Sequence, residues 1–226
     1  MTVLAIVGLK REAAIVAGPQ VVPVIAGNSG ILRQRIQGAL DPGVRGIISI
    51  GIAGALSPEL KAGDCIIAST IIAQATRFDT DNGWTARLRR ALPDPRVTPI
   101  AGSDRIAATV EDKATLFRET GADAVDMESH VAAAVARENG LPFVALRVIS
   151  DRADHTLPPA VLAAMKPNGG IALGRVLKSI ALRPTQIPAL MRTSRESEKA
   201  FVALLRCRDV LGPGLGCPYL EPKHER

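Results

Sequence analysis

Two carboxylates follow apolar segments that are separated by one predicted helix. Glu128 follows the run Ala124 to Met127, and Asp151 follows the run Phe143 to Ser150. An ionised carboxylate accepts hydrogen bonds and can hold two adjacent sugar hydroxyls, whereas a protonated one can donate to a ring nitrogen. This pair suits cleavage of a bond between a sugar and a nitrogenous base, with the roles divided as in glycoside hydrolysis.

The surrounding segments predict a strand, a helix and a second strand. Ala124 to Met127 predicts a short buried strand and Phe143 to Ser150 an apolar strand, while the Ala-rich segment Val131 to Ala136 predicts a helix that Asn139-Gly140 ends. A parallel crossover would make the two strands neighbours, and ligands bind beyond the carboxyl ends of such strands. Taken singly, each acid could instead cap a helix or lie solvated in a loop.

Four motifs in the same order resemble the purine and uridine nucleoside phosphorylase superfamily, which includes methylthioadenosine nucleosidases. They are Ile50-Gly-Ile-Ala-Gly-Ala-Leu56, Ala62-Gly-Asp-Cys-Ile-Ile-Ala68, Val125-Asp-Met-Glu-Ser129 and Ile149-Ser-Asp-Arg-Ala-Asp154. The resemblance implies a three-layer α/β fold with a central mixed, mostly parallel sheet flanked by helices. It also implies that Glu128 grips the ribose hydroxyls, that Met127 lies along the sugar, and that Asp151 protonates the base.

The resemblance places further base contacts in two segments. Ser150 precedes the proposed acid, and Arg105 and Ile106 lie where family members contact the base. A guanidinium plane at Arg105 could replace the aromatic ring that stacks on the purine.

The nucleophile site follows the first predicted strand, which ends at Gly8. Family nucleosidases activate water with an acid whose position corresponds to Ala13, and Glu12 lies one residue earlier, about 100° around a helix. Lys10 and Arg11 are basic, as in the phosphorylases. Glu12 therefore stays a candidate base, but phosphorolysis with inorganic phosphate as co-substrate is favoured over hydrolysis.

Other candidates for the anion site come from glycine-containing turns. Backbone amides at a helix start can cradle phosphate, and glycines let the backbone approach a ligand. The candidates are Gly8, Gly27, Arg33 and Gly51. Ile52 replaces the Ser that is common in the nucleosidases.

Composition restricts the class of protein. The 226 residues can form a sizeable core, and no apolar run reaches the roughly 20 residues of a membrane span. Three cysteines without Cys-x-x-Cys spacing indicate neither a disulfide framework nor a metal site, so we expect a cytoplasmic enzyme. Few aromatic residues and no base-reading motif argue against nucleic acid.

The last quarter of the chain is basic. Residues 171–226 hold 10 Lys or Arg against 5 Asp or Glu. Ile187 to Leu211 predicts a basic amphipathic helix within a C-terminal extension, 184–226, that follows a catalytic domain, 1–183. Such a helix could lie on an anionic membrane surface or pack on its own domain.

A narrower resemblance covers almost the whole chain. Asp126-Met-Glu-Ser-His130, Met165-Lys-Pro-Asn-Gly169 and Leu211-Gly-Pro-Gly-Leu-Gly-Cys-Pro218 are similar to hopanoid-associated phosphorylases. This implies release of adenine from the lipid nucleoside adenosylhopane at the inner face of the cytoplasmic membrane, by a homodimer or larger oligomer. The alternatives are a soluble methylthioadenosine/adenosylhomocysteine nucleosidase or purine nucleoside phosphorylase, and a non-catalytic nucleoside-binding protein. The sequence leaves the roles of His130, His155 and Arg147 open.

Overall fold

A computed structural model describes residues 1–164 and 173–220. The strands are β1 Thr2–Val7, β2 Val21–Ile25, β3 Val44–Ala55, β4 Cys65–Ala73, β5 Thr76–Asp79, β6 Arg96–Gly102, β7 Ala124–Asp126 and β8 Phe143–Asp151. The helices are α1 Lys10–Val16, α2 Ser29–Ala39, α3 Asn82–Ala91, α4 Val110–Thr120, α5 Ser129–Glu138, α6 Pro159–Ala164, α7 Leu173–Leu182 and α8 Ile187–Leu211, which a 3₁₀ turn, Pro184–Gln186, precedes. The motif Met165 to Gly169 lies outside the described residues.

The strands form one mixed sheet in the order β2-β1-β3-β7-β6-β4-β5, and β8 pairs with both β3 and β4. Pairing is parallel along β2-β1-β3, β3-β8, β4-β6 and β6-β7, and antiparallel at β3-β7, β4-β5 and β4-β8. The predicted mixed, mostly parallel sheet is therefore confirmed.

The predicted pairing of β7 with β8 is wrong. The end of β3 lies between them, because Gly54 pairs with Val125 of β7 and with Asp151 of β8. β3 has 12 residues, so its last residues extend beyond β1 and are free to pair with β7. The consequence for the site is small, since both strands still end beside Gly54.

Helices cover both faces of the sheet. Apolar residues of α2 and α5 pack in one core cluster with the sheet, and residues of α1, α3 and α8 pack in the other. Of α8, Phe201, Leu204 and Cys207 are buried against this second face. The described part of the C-terminal extension thus shares a core with β1, β3 and β8.

The segment that follows α8 is also held to the domain by polar contacts. Trp84 is fully buried, and its Nε1 donates to the carbonyl of Leu215 at 3.1 Å. Tyr219 donates its hydroxyl to Asp81 at 2.9 Å. Within the described ranges, no helix has both the length and the apolar character needed to cross a bilayer.

Candidate active site

A buried guanidinium on β8 joins β3, β7 and the start of α5. Arg147 of β8 is 0% exposed, and its Nε donates to Asp126 Oδ2 at 2.5 Å. Its Nη2 donates to Ser49 at 2.5 Å and lies 3.3 Å from Glu128 Oε2. Sequence left open whether Arg147 pairs with a carboxylate or with phosphate; in the structure it pairs with Asp126.

Asp126 also fixes the turn between β7 and α5. Its Oδ1 accepts from the amide of Ser129 at 3.0 Å and from that of Glu128 at 3.3 Å, while the Ser129 hydroxyl donates to Oδ2. The unpaired amides at the start of a helix donate readily to a carboxylate. By accepting from these amides, Asp126 orients the backbone of Glu128 at the end of the sheet. The sequence analysis did not predict this role for Asp126.

Glu12 is turned inward despite its offset from the family position. It is 1% exposed, and its Oε2 accepts from the Leu9 amide at 2.7 Å while Oε1 accepts from the Ile52 amide at 2.7 Å. The argument from helical rotation was wrong because Glu12 is the third residue of α1. At this position a glutamate folds back to the amide before the helix, so the cap sets its direction.

The backbone of Gly8 lies against both glutamates. A Cβ built on Gly8 would be 2.9 Å from Glu128 Oε1 and 3.5 Å from Glu12 Oε2. On the other side of Glu12, a Cβ built on Gly51 would overlap Oε1 and come within 2.9 Å of Arg147 Nη1. The two glycines allow Glu12, Glu128 and Arg147 to converge.

One atom of this cluster lacks a partner. Arg147 Nη1 is buried and donates no hydrogen bond to any described residue. A buried unsatisfied donor is costly, and such atoms often mark a ligand position. Nη1 can therefore donate a hydrogen bond to a ligand that lies beside Glu12.

Burial and charge act in opposite directions on these groups. Burial raises the pKa of Glu12 from its ordinary 4.5, although Arg147 and the amides of Ile52 and Leu9 lower it. Burial also raises the pKa of Glu128, to about 7, against the opposing effect of Arg147. Burial lowers the pKa of Arg147, but the negative charges of Asp126, Glu128 and Glu12 together raise it by more, so the pKa lies above its ordinary value.

Asp151 lies at the same edge, beside Gly54, and is 9% exposed. Ser150 donates to its Oδ1 at 3.1 Å and to the carbonyl of Ala53 at 3.2 Å. Lys113 of α4, which sequence reasoning missed, donates to Oδ2 at 2.6 Å. No local pattern announces Lys113, because it comes from another helix 38 residues earlier.

Of the predicted phosphate ligands, Gly8 and Gly51 lie against Glu12, but the basic residues and Gly27 do not gather around it. Lys10 is exposed. Arg11 pairs with Glu198 of α8 and lies 4.0 Å from the Phe201 ring centroid. Arg33 pairs with Glu138 at 2.6 Å, and Gly27 lies in the loop before α2.

The remaining predicted contacts lie on loops around the edge. Met127 and Ile106 are half-buried and Arg105 is exposed. His130 approaches Asp104 at 3.2 Å, and Ser29 donates to the same carboxylate. His155 approaches Glu196 of α8 at 3.2 Å.

Comparisons with known proteins agree on the fold. The chain is 29% identical over 155 residues to a 5′-methylthioadenosine/S-adenosylhomocysteine nucleosidase of Treponema pallidum, covering 49% of this chain and 58% of that protein. It is 27% identical over 134 residues to an aminodeoxyfutalosine nucleosidase of Helicobacter pylori, covering 50% and 58%. The matches thus span about 58% of these relatives.

Solved structures match over more of the chain. The methylthioadenosine/adenosylhomocysteine nucleosidase of H. pylori superposes with a TM-score of 0.63 at 18% identity, covering 91% of this chain and 95% of that one. The Streptococcus pneumoniae nucleosidase gives 0.60 at 18%, covering 91% and 99%. The family model described as "Phosphorylase superfamily" matches residues 28–180, and the chain belongs to that superfamily.

Proposed function

We propose that this protein hydrolyses the N-glycosidic bond of an adenine nucleoside. The observation that carries the proposal is the convergence of Glu12 and Glu128 on Arg147, whose Nη1 is unpartnered among the described residues. Water can accept from Nη1 and donate to a carboxylate, so this cluster suits a nucleophilic water. The names of the curated relatives, two kinds of nucleosidase, support the same reaction class.

Glu12 is the proposed base. Each carboxylate oxygen of Glu12 accepts one backbone amide and retains capacity for a second donor. Its raised pKa makes it a stronger base than an exposed glutamate. Glu12 can therefore take a proton from water as the oxygen attacks the anomeric carbon.

Glu128 is the proposed ribose ligand. Its Oε1 faces Gly8, and its Oε2 lies near Arg147 Nη2. An ionised carboxylate here can accept from two sugar hydroxyls and stabilise the positive charge that develops on the sugar. Asp151, beside Gly54, is the proposed proton donor to the departing base.

Hydrolysis replaces phosphorolysis as our preferred reaction. A phosphate dianion near Nη1 would lie beside the carboxyl groups of Glu12, Glu128 and Asp126, three acids around the guanidinium of Arg147. Lys10 and Arg11, which would have held phosphate, are exposed or paired with Glu198. Among residues 1–164 and 173–220, Glu12 accepts hydrogen bonds from the amides of Leu9 and Ile52 and from no cationic side chain.

Product analysis tests the reaction. Adenosine, 5′-methylthioadenosine and adenosylhopane are incubated in phosphate-free buffer made with ¹⁸O-labelled water. We expect adenine and a free sugar carrying ¹⁸O at the anomeric carbon. Release that requires phosphate and yields a sugar 1-phosphate would overturn hydrolysis, and no release from any substrate would favour a binding protein.

We further propose adenosylhopane as the natural substrate. The motif resemblance is supported by the outer face of α8, which exposes both apolar and basic side chains. The apolar ones are Ile187, Met191, Val202, Leu205 and Val210, and the basic ones are Arg192, Arg195, Lys199 and Arg206. Such a face suits an anionic bilayer that holds a lipid nucleoside.

Co-sedimentation tests this surface. The protein should bind vesicles of phosphatidylcholine with phosphatidylglycerol and not vesicles of phosphatidylcholine alone. Arg195→Glu with Lys199→Glu should abolish binding, while the matched reversal Arg89→Glu with Arg90→Glu on α3 should not. Equal vesicle binding by both double variants would contradict the assignment of the membrane-binding surface to α8.

Substrate preference is a separate test. Faster turnover of 5′-methylthioadenosine than of adenosylhopane would favour the soluble nucleosidase.

A further inference from the structure

A buried lysine stands behind the proposed proton donor. Lys113 of α4 is 1% exposed, and its Nζ donates to Asp151 Oδ2 at 2.6 Å, to the Arg152 carbonyl at 2.7 Å and to the His155 carbonyl at 2.9 Å. An ammonium has three N–H donors, so its donors are all used. The cluster is built to hold a lysine in its charged form.

Fastening a loop does not require this arrangement. Two carbonyl acceptors would tie residues 152–155 to α4, and burying an ammonium is costly unless it is paired. The third acceptor is the carboxylate that the proposed hydrolysis uses as its acid. In the structure both carboxylate oxygens of Asp151 have polar neighbours, since Oδ2 accepts from Lys113 and Oδ1 lies 3.1 Å from the Ser150 hydroxyl.

We propose that Lys113 supplies, through Asp151, the proton that the departing base takes up. This inference rests on the proposed hydrolysis. The bond between the anomeric carbon and the base nitrogen breaks with its electron pair on the base. Asp151 receives a proton from Nζ and passes it to a ring nitrogen, while water gives its oxygen to the sugar and a proton to Glu12.

The geometry accommodates both protonation states. After transfer, the neutral amine keeps two N–H groups for the carbonyls of Arg152 and His155, and its lone pair faces the carboxyl group. The amine then regains a proton from solvent. Lys113 is thus a positioning residue that keeps one transferable proton beside the base.

Other titratable groups surround the pair. Arg152 pairs with Asp154 at 2.9 Å, and His155 approaches Glu196 of α8 at 3.2 Å and Asp154 at 3.7 Å. These groups can add their own features to a pH profile. The test therefore compares variants with the wild-type protein and includes His155→Gln.

Two ribosides separate proton supply from the rest of the reaction. The 5′-methylthioadenosine base needs a proton to depart, whereas 4-nitrophenyl riboside releases a stabilised phenolate that needs little acid help. In Lys113→Met we expect kcat/KM for methylthioadenosine at pH 8 to fall about 10²-fold or more, with its alkaline limb moved to lower pH. The loss on 4-nitrophenyl riboside should be at least tenfold smaller, by the same reasoning.

The controls make the inference falsifiable. Lys61→Met, an exposed lysine, should behave as wild type, and Lys113→Gln replaces Lys113→Met if the latter fails to fold. Equal losses on both ribosides, or an unmoved alkaline limb, would show that Lys113 only fastens the loop. If the wild-type protein cleaves neither riboside, the proposed function fails and this inference fails with it.

Discussion

Glu12 Oε1 accepts a hydrogen bond from the amide of Ile52 at 2.7 Å, which ties the first turn of α1 to β3. The contact passes over Gly51, whose missing side chain leaves the space that Glu12 fills. A methyl group at residue 51 therefore competes directly with the proposed base.

Gly51→Ala should lose activity and stability together. Its Cβ would overlap Glu12 Oε1, and the buried surroundings leave little room for either group to move. Overpacking of this kind costs about 1–3 kcal/mol. Gly38→Ala on α2, where a Cβ meets nothing within 4 Å, is the matched control and should gain roughly 0.5–1 kcal/mol. Chemical denaturation measures both, and a neutral Gly51→Ala with full activity would contradict this placement of Glu12.

Glu12→Gln should lower kcat by about 10²–10⁴-fold, as expected when a general base is removed. In the wild-type protein the reaction needs ionised Glu12, so kcat/KM should fall as pH drops through its raised pKa, above the range of an exposed glutamate. This acid limb should be absent or displaced in the variant. Steady-state rates between pH 4.5 and 8 measure it.

A double variant tests the register of the base. Glu12→Ala with Ala13→Glu moves the acid to the family position, where Ala13 now packs in the core beside the sheet. We expect no rescue, since a glutamate there would have to displace apolar neighbours. Restored activity would show that residue 13 also reaches the water.

The elements that the sequence predicted have local signals. α8 has its predicted bounds, Ile187–Leu211, and the motif ends correctly bring Glu128 and Asp151 to one edge. The direction of Glu12 was missed because a cap, rather than helical periodicity, sets it. Lys113 was missed because a contact between α4 and β8 leaves no trace in local spacing.

Stability should fall as pH rises from about 4.5 to about 7 because of Glu128. Its pKa is near 7 in the folded protein and 4.5 ordinarily, so in this window the folded state binds more protons than the unfolded state. The linkage relation then makes the free energy of unfolding decrease by about 3 kcal/mol, as an order of magnitude.

Glu128→Gln should reduce this pH dependence, and the part that remains comes from Glu12, whose pKa is also raised by burial. Urea denaturation at pH 5 and pH 8 should show the variant gaining stability relative to wild type at the higher pH. Glu119 is an exposed residue of α4, and Glu119→Gln is the control. It should change the free energy of unfolding by the same amount at pH 5 and at pH 8. A wild-type protein that becomes more stable than Glu128→Gln as pH rises would refute the buried, proton-retaining Glu128.

Neighbouring leucines on α8 test whether the C-terminal helix is part of the core. Leu204 is fully buried against the sheet, whereas Leu205 is 46% exposed. Leu204→Ala should lower the free energy of unfolding by about 2–5 kcal/mol, since it leaves a cavity. Leu205→Ala should change it by no more than about 0.5 kcal/mol. Thermal unfolding of the two variants measures the difference. If both substitutions had equally small effects, α8 would be a separable extension, and residues 1–183 could be studied without it.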